Sequence, residues 1–344
     1  MFLEAIKPRV EIKTCLSLKF SPVCINIYMV INMKLTYIVD KEVSGKTVKH
    51  VLKNKLQLSE RLIKKLKYNN LILRNNEPVY VNVVLNEHDV LEVNMKLNEN
   101  SEDIIPQDIP VDIIFEDENL LVLNKQPDIV VHPTCSHTDG TLANAVAFHL
   151  ANKDELCKIR PVVRLDRDTS GVIIFAKNPY SQEYLIRQMN SKTFIKEYIG
   201  IVHGFVKNKK GTINLPISRK PDSIMLRHVS PDGDHAVTHY EVIEYLNNAT
   251  VLRFILETGR THQIRVHCQA SGHPLIGDTL YPYLDDISHS SAVSQSQVQM
   301  PELINRQALH SYRALFEHPA TKEMLEVIAP LAEDIKTALE ILRK

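Results

Sequence analysis

Apolar and polar residues follow two different periods along the chain, and the first region of the chain combines both. Apolar residues between Gly45 and Leu56 recur at helical spacing, and Ser59 stands where it can cap a second short helix. Residues 71–95 then alternate with a period of two around the turn-forming Asn75 and Asn76. The pattern predicts a small α/β domain made of two helices and a short sheet.

A second, longer region is richer in strands than in helices. Strand patterns occupy residues 111–127 (two strands around an acidic turn), 171–177, 193–204, 235–246, 250–259 and 310–319. Helical patterns occupy residues 140–150, 181–189 and 330–344. Most of these strands follow one another without an intervening helix. This order favours an α+β domain with a large, mainly antiparallel sheet flanked by helices.

Polar stretches separate or interrupt these regions. The residues around Pro106 and Pro110 are acidic, which is typical of a linker, and residues 285–307 are rich in Ser and Gln, which indicates a surface loop. We therefore predict four segments, which are an extension at 1–32, a small domain at 33–97, a linker at 98–110 and a large domain at 111–344.

The extension at 1–32 allows two interpretations. It has basic residues followed by an apolar run, as a signal peptide does, but Asn26 interrupts the run and no small-residue cleavage site follows. Alternatively, Met33 is the true start, because a clean strand pattern begins there. The apolar run is also too short to span a bilayer, which takes roughly 20 apolar residues.

The composition is that of an ordinary soluble protein. Of the 344 residues, 44% are hydrophobic and 24% are charged, so the chain can bury a core without disulfide bonds. The five cysteines are scattered and form no C-x-x-C pair, which indicates neither a disulfide framework nor a zinc site. We expect a cytoplasmic monomer that makes no contact with a membrane.

Charge is balanced over the whole chain but not locally. Basic and acidic residues number 41 each, yet residues 44–74 contain nine basic residues and a single acid, Glu60. Together with the helix and strand pattern, this basic charge makes residues 35–96 resemble the alpha-L RNA-binding domain. The resemblance implies RNA contacts from Lys46, Lys53, Arg61, Lys64, Lys65 and Lys67. The alternative is that these residues form two solvated helix faces.

Several segments of the large domain carry candidate chemistry. The segment "RLDRDTSG" at 164–171, taken alone, is typical of a solvated turn. It is accompanied by "GTLANAV" at 140–146, "KEYIGIVHG" at 196–204, "GRTHQIRVH" at 259–267 and "HPLIGD" at 273–278. In this order and spacing, the segments resemble the RluA-type pseudouridine synthases over nearly all of residues 108–330. The resemblance implies the pseudouridine synthase fold and an isomerase of uridine in RNA.

The resemblance also implies three catalytic residues. Asp166 would be the carboxylate that attacks the ribose or removes a proton from it, and Arg265 the cation that keeps this carboxylate ionised. Tyr198 would stack on the uracil and assist proton removal from its carbon 5. We expect Thr261 to cap the helix that carries Arg265 and Gly272 to end it.

Four further residues are assigned to RNA contacts. Arg164 would act as a wedge that replaces the flipped nucleotide, and Arg167 would contact phosphate. Arg260 and His262 would contact the substrate from the "GRTHQIR" segment. His262 and His267 do not suggest a metal pair, because five helical residues place them about 140° apart around the helix axis.

The isomerisation involves no net oxidation, hydrolysis or group transfer, so no cofactor and no metal are expected. The absence of G-x-G-x-x-G and Walker motifs agrees with this. The leading interpretation is a base-flipping isomerase of structured RNA, with large-subunit ribosomal RNA favoured and transfer RNA left open. A ribosome-assembly factor that binds RNA without chemistry is the alternative. A glycosidase pair of Asp166 and Asp168 is disfavoured, because two residues on one loop do not flank a sugar from opposite sides.

Two positions depart from the family pattern. Val163 stands where many members have His or Asn, which removes a polar contact near the flipped nucleotide. The segment "GDHAVTH" at 233–239 stands where many have Gly-Lys-x-Ala-x-Thr, which puts a lysine contact to RNA in doubt.

Overall fold

The computed structural model describes residues 9–13, 30–31, 34–95, 97, 104–134, 137–155, 157–282 and 303–344. The strands are β1 (Arg9–Lys13), β2 (Val30–Ile31), β3 (Lys34–Ile38), β4 (Ile72–Arg74), β5 (Glu77–Pro78), β6 (Val90–Asn94), β7 (Asp112–Glu116), β8 (Leu120–Lys125), β9 (Ser170–Ala176), β10 (Ile195–His203), β11 (Lys210–Asn214), β12 (Ile217–Arg219), β13 (Arg227–Val229), β14 (Val237–Leu246), β15 (Ala249–Leu256), β16 (Leu309–Glu317) and β17 (Met324–Ile328). The helices are α1 (Val48–Asn54), α2 (Glu60–Tyr68), α3 (Leu142–Ala151), α4 (Pro179–Asn190), α5 (Gln263–Ala270) and α6 (Glu333–Leu342).

The small N-terminal domain has the predicted helices and sheet. Its strands lie in the order β2-β3-β6-β4-β5, and α1 and α2 pack their apolar residues into one buried cluster with them. The Ser59 side chain accepts a hydrogen bond from the Leu62 amide at 3.1 Å, which confirms it as the cap of α2. Asn75 and Asn76 both have positive φ, 52° and 69°, and turn the chain between β4 and β5.

The large domain is built on the predicted sheet. Eight strands follow the order β11-β14-β15-β10-β16-β9-β8-β7, and β17 and β1 extend it from β16. Within the described residues, β9 and β16 form the single parallel pair of this sheet, and the other pairs are antiparallel. The prediction of an α+β fold with a mainly antiparallel sheet is confirmed.

Helices cover both faces of the sheet because its strands are apolar on both sides. Leu121 of β8 lies in the cluster that includes α3, whereas its neighbour Leu120 lies in the cluster that includes α4. In the same way, Ile199 of β10 packs with α6 and Tyr198 packs with α5. The alternation of side chains along β10 therefore places Tyr198 on the α5 face of the sheet.

Two segments that were predicted to be irregular contain residues that pack against the large domain. In the predicted linker, Ile104 is buried beside α3, and Asn144 donates to the Ile105 carbonyl at 2.8 Å. In the predicted surface loop, Ile304, Arg306 and Gln307 are buried, so the surface assignment is wrong for its end. Residues 98–103 and 285–302, and most of the extension at 1–32, lie outside the described residues. None of the described helices is long and apolar enough to cross a membrane.

Candidate active site

Asp166 lies at the wall of a cleft of about 1210 Å³, in the loop that leads into β9. The cleft is also lined by residues of β10, of the loop between β15 and α5, and of α4 and α5. Where the loop enters β9, Gly171 has a φ of 107°, and a Cβ there would lie 2.1 Å from the Ser311 carbonyl oxygen. A glycine is therefore required at this position, and the loop is seated directly on β16.

A buried lysine holds this loop from one side. Lys125, at the end of β8, is fully buried and donates to the carbonyls of Gln126, Ile129 and Arg167 at 2.8, 3.0 and 2.6 Å. Burial lowers the pKa of its ammonium group to about 7. Because Arg167 directly follows Asp166, the Lys125 contact fixes the backbone beside the candidate catalytic carboxylate.

A buried arginine holds the loop from the other side. Arg306 donates to the Asp168 carbonyl at 2.8 Å and to the Ser170 hydroxyl at 3.2 Å. It also forms a two-bond ion pair with Asp334 in the first turn of α6, at 2.6 and 2.8 Å. Gln307 adds a hydrogen bond to the Thr169 hydroxyl at 3.2 Å. The loop from Asp166 to Ser170 is thus held by side chains from two distant segments.

Arg265 contacts Asp166 while a second carboxylate holds it. Its Nη1 donates to Asp166 Oδ2 at 3.2 Å, and its Nε and Nη2 donate to the two oxygens of Asp278 at 2.7 and 2.8 Å. The Asp278 side chain is fully buried, whereas that of Asp166 is 25% exposed. These carboxylates raise the pKa of Arg265 against the opposing effect of burial, so the guanidinium remains charged.

The N-terminus of α5 differs from the prediction. His262, not Thr261, occupies the cap position, with a left-handed φ of 57° and no side-chain cap. Its Nδ1 lies 2.7 Å from the Tyr281 hydroxyl, and its Nε2 lies 3.9 Å from Asp166 Oδ1. The His262 ring therefore forms a hydrogen bond with Tyr281, and burial lowers the pKa of the His262 imidazole. Gly272, with a φ of 77°, follows the end of α5 as predicted.

Tyr198 is brought to the same cleft by β10. Its ring is 7% exposed and packs in one cluster with Leu165 and Ile264, the neighbours of Asp166 and Arg265 in sequence. Burial raises the pKa of the Tyr198 hydroxyl to about 12, although a hydrogen bond with Ser311 opposes this. The hydroxyl is consequently protonated at neutral pH. The structure therefore collects Asp166, Tyr198 and Arg265, which are widely separated in sequence, in one cleft.

Comparison with known proteins identifies the family. Residues 119–270 match the RNA pseudouridylate synthase family model. An uncharacterized RNA pseudouridine synthase of Bacillus subtilis, YhcT, is 38% identical over 306 residues, which are 88% of this chain and 95% of that protein. The chain belongs to the RNA pseudouridine synthase family, in its RluA-type branch. Members of this family are isomerases that act on RNA.

Further relatives agree with this family assignment. The ribosomal large subunit pseudouridine synthase D of Vibrio parahaemolyticus is 42% identical over 238 residues, which cover 69% of this chain and 72% of that protein. The human RNA pseudouridylate synthase domain containing 4 shares the fold, with a TM-score of 0.52 and 23% identity over 67% of this chain and 93% of that one.

The predicted RNA-facing residues of the synthase lie at the rim of the cleft. Arg164 is exposed there and has no ion-pair partner among the described residues. Arg167 is also exposed, but it is paired with Asp168 at 3.1 Å. Arg260, which lines the cleft, donates to the His235 carbonyl at 3.1 Å and lies 3.5 Å from Asp234. Among these three arginines, Arg164 is therefore the one without an ion pair to the described residues.

The predicted basic residues of the N-terminal domain form a separate group. Lys46, Lys53, Arg61, Lys64 and Lys67 are exposed, and Lys65 is half-buried. None of these six side chains lines the cleft. Lys53 is paired with the exposed Glu60 at 3.2 Å, a surface contact of little energetic weight. The residues predicted to contact RNA therefore lie in two separate groups on the synthase.

Sequence analysis missed the residues that hold the site of the synthase. Asp278 ends the quoted "HPLIGD" segment but had no assigned role, and Tyr281, which lies under the Arg265 guanidinium at 5.0 Å, was not considered. Lys125 and Arg306 were missed as well. An acidic residue at the end of a segment that matches the family pattern indicates a candidate site residue. Nothing in the sequence around Lys125 or Arg306 predicts that these side chains are buried.

Proposed function

We propose that the protein converts uridine to pseudouridine in structured RNA, with Asp166 as the group that reacts at the ribose. The observation that carries this proposal is the Asp166–Arg265–Asp278 arrangement. The cleft-facing carboxylate of Asp166 accepts a hydrogen bond from Arg265, and the fully buried carboxylate of Asp278 holds the guanidinium in that direction. The arrangement leaves the Asp166 carboxylate open to the cleft and buries that of Asp278.

The reaction balances without a cofactor. The bond between ribose carbon 1 and base nitrogen 1 breaks, and the uracil turns so that its carbon 5 bonds to the same ribose carbon. The hydrogen leaves carbon 5, and nitrogen 1 gains a proton. Asp166 serves this sequence in one of two ways. It attacks ribose carbon 1 and leaves again when carbon 5 bonds there, or it removes the proton from ribose carbon 2 and returns it once the new bond has formed.

Tyr198 acts after the new bond between carbon 5 and the ribose has formed. Its ring offers an apolar face to the uracil, and its protonated hydroxyl hydrogen-bonds a water or a base oxygen during proton removal from carbon 5. Because its pKa is about 12, the hydroxyl acts as part of a relay and not as a free tyrosinate base.

The base has to leave its stack to reach Asp166. Arg164 supports this step, because it is exposed at the cleft, two residues from Asp166, and its guanidinium is available to fill the gap left by the flipped nucleotide. Arg167 and Arg260 are assigned to phosphate and substrate contacts, and His262 to shaping the pocket around Asp166.

Large-subunit ribosomal RNA is the proposed substrate. Support comes from the 42% identity to proteins named as ribosomal large subunit pseudouridine synthase D, and from the basic N-terminal domain. The protein would meet this RNA in the cytoplasm, where we place it as a monomer. The alternative, an assembly factor without chemistry, is disfavoured by the intact Asp166–Arg265 contact.

A pseudouridine map tests the proposal. Ribosomal and transfer RNA would be mapped by carbodiimide modification and primer extension in cells that contain the intact protein, lack it, or carry Asp166→Asn. We expect the same sites to be lost in the deletion and in the variant, while purified Asp166→Asn retains RNA affinity. Sites that persist with Asp166→Asn would remove Asp166 from the reaction, and an unchanged map in the deletion would favour the assembly factor.

A further inference from the structure

Helix α4 stands between the N-terminal domain and the cleft. On one flank, Ile186, Met189 and Asn190 line the cleft. The neighbouring flank carries Glu183 and Arg187, which contact the N-terminal domain. Since positions three and four residues apart share a helix face, one helix supplies both contact surfaces.

The central contact joins Glu183 of α4 to Ser59, the residue that caps α2. The Ser59 hydroxyl donates to Glu183 Oε1 at 2.5 Å, and the Ser59 amide donates to Glu183 Oε2 at 3.2 Å. The same hydroxyl oxygen accepts from the Leu62 amide at 3.1 Å. The Glu183 carboxylate thus lies at the N-terminus of α2, where unpaired amides and the helix dipole favour a negative charge.

Aromatic and basic residues of the large domain extend the contact. Tyr180 is 5% exposed and belongs to the apolar cluster of the N-terminal domain, with Tyr184 packed beside it. Lys322, from the turn before β17, donates to the Tyr180 hydroxyl at 3.0 Å and lies 3.5 Å from the centre of the Tyr184 ring. Arg187 donates to the Gln57 carbonyl at 2.8 Å.

We propose that the Ser59–Glu183 contact holds the N-terminal domain in a fixed position beside the cleft, so that the enzyme selects folded RNA. In such RNA, a backbone segment that binds the basic domain lies at a set distance from the target uridine. This proposal rests on the proposed function and specifies its substrate class. A tethered domain would tolerate many spacings, whereas a docked domain accepts few.

The test compares two substrates and two glutamate variants. Glu183→Ala removes the Ser59–Glu183 contact, and Glu87→Ala removes the same charge from an exposed position of the N-terminal domain. The substrates are transcribed large-subunit ribosomal RNA and a short hairpin with the mapped uridine, both tritiated at carbon 5. Tritium release reports turnover, because formation of the new carbon bond displaces this hydrogen.

We expect Glu183→Ala to lower kcat/KM on the long RNA by about tenfold, since losing the dock lowers the effective concentration of one RNA site at the other. On the hairpin, which reaches the cleft alone, its kcat/KM should match that of the wild type. Glu87→Ala should not lower either value, because loss of a negative charge favours RNA binding in general.

Equal losses on both RNAs, or no loss on either, would overturn the docking proposal and leave the proposed function intact. No tritium release by the wild-type protein from either RNA would instead overturn the proposed function.

A second measurement does not depend on the stability of Glu183→Ala. Glycine and serine residues are inserted after residue 100 in the otherwise unchanged chain. If the Ser59–Glu183 contact positions the domain, kcat/KM on the long RNA stays constant as the insertion grows. A steady fall with inserted length would show that the tether sets the position, and the docking proposal would be wrong.

Discussion

Arg265 joins two carboxylates of opposite exposure, with its Nη1 3.2 Å from Asp166 Oδ2 and its Nε 2.7 Å from Asp278 Oδ2. Asp278 also accepts hydrogen bonds from the amides of Leu280 and Tyr281 at 3.1 and 3.2 Å. The buried carboxylate therefore sets the direction of the guanidinium, and the cleft-facing one accepts a hydrogen bond from its Nη1.

Arg265→Lys should be nearly as inactive as Arg265→Met. A lysine keeps the charge, but its single ammonium group cannot reproduce the planar fork that contacts both carboxylates. We expect kcat to fall by about a hundredfold or more, with little change in KM, because the ground-state RNA contacts remain. Steady-state tritium release on the ribosomal RNA measures both parameters. Substantial activity in Arg265→Lys would show that positive charge alone is sufficient.

Asp278→Asn should impair the reaction although Asp278 does not face the cleft. The amide keeps the shape but no longer balances the Arg265 charge, so the guanidinium is no longer held towards Asp166. We expect a loss in kcat of at least about tenfold at an unchanged KM. Asp139→Asn, at an exposed carboxylate, is the control. If Asp278→Asn retains the wild-type kcat, Asp278 has no positioning role.

Tyr198→Phe should separate the contribution of the aromatic ring to catalysis from that of the hydroxyl. The variant keeps the apolar face but cannot relay a proton, so kcat should fall by about a hundredfold while RNA affinity is unchanged. Because the pKa of Tyr198 is about 12, tyrosine ionisation should produce no limb in the wild-type pH–rate profile between pH 6 and about 10. Tyr245→Phe, whose hydroxyl only donates to the Val206 carbonyl, is the control. Wild-type turnover in Tyr198→Phe would exclude a role for the hydroxyl.

The salt dependence of RNA binding tests the basic N-terminal domain. The triple change Arg61→Gln, Lys64→Gln and Lys67→Gln should weaken binding and lower the slope of log K against log salt by about 0.9 for each lost contact to duplex phosphate. Filter binding at several salt concentrations measures the slope. The charge-keeping set Arg61→Lys, Lys64→Arg and Lys67→Arg is the control. An identical slope in the triple Gln variant would assign these residues to a solvated surface.

These substitutions are preferable to removal of residues 1–97. Such a truncation would also remove β1 and would expose Tyr180, which is buried against the N-terminal domain. Its effect on binding would therefore mix charge with damage to the large domain.

Lys125 should make stability depend on pH in the alkaline range. The unfolded chain keeps this proton up to the ordinary pKa of 10.5, whereas the folded protein releases it above about 7. Between these values the unfolded state binds more protons, so the Lys125 contribution to stability rises with pH. The buried Lys322, whose pKa burial also lowers to about 7, acts in the same sense. Lys125→Met should therefore reduce, without abolishing, the rise in Tm from pH 7 to 10.

The exposed Lys207 provides the comparison for that experiment. Lys207→Met should leave the dependence of Tm on pH as it is in the wild type. Parallel curves for Lys125→Met and the wild type would mean that Lys125 remains protonated in the folded protein throughout this range.

The sequence predicts the elements of this fold well because their signals are local. Ser59 caps its helix, Asn75 and Asn76 turn the chain, and apolar alternation marks the strands of the sheet. The cap of α5 is an exception. His262 takes the cap position in place of Thr261, with a left-handed backbone, and its ring contacts the distant Tyr281.

The site could be predicted only in part. The family pattern pairs Asp166 with Arg265, which lie 99 positions apart and are in contact. It says nothing of Arg306, whose hydrogen bond to Ser170 spans 136 positions. A buried charge is stable only where distant segments supply its partners, and no local period or spacing records those partners.

The pairing of β1 with β17 decides which strand forms this edge of the sheet. Five residues, Arg9–Lys13, pair antiparallel with Met324–Ile328 and satisfy the outer backbone groups of β17. A chain that began at Met33 would present those amides and carbonyls as an open ladder. Such ladders are templates for strands of other molecules. Arg9, Glu11 and Lys13 alternate with apolar residues in this short strand, and charged residues on an edge strand disfavour pairing with other molecules. Removal of the strand should therefore make the enzyme more prone to self-association.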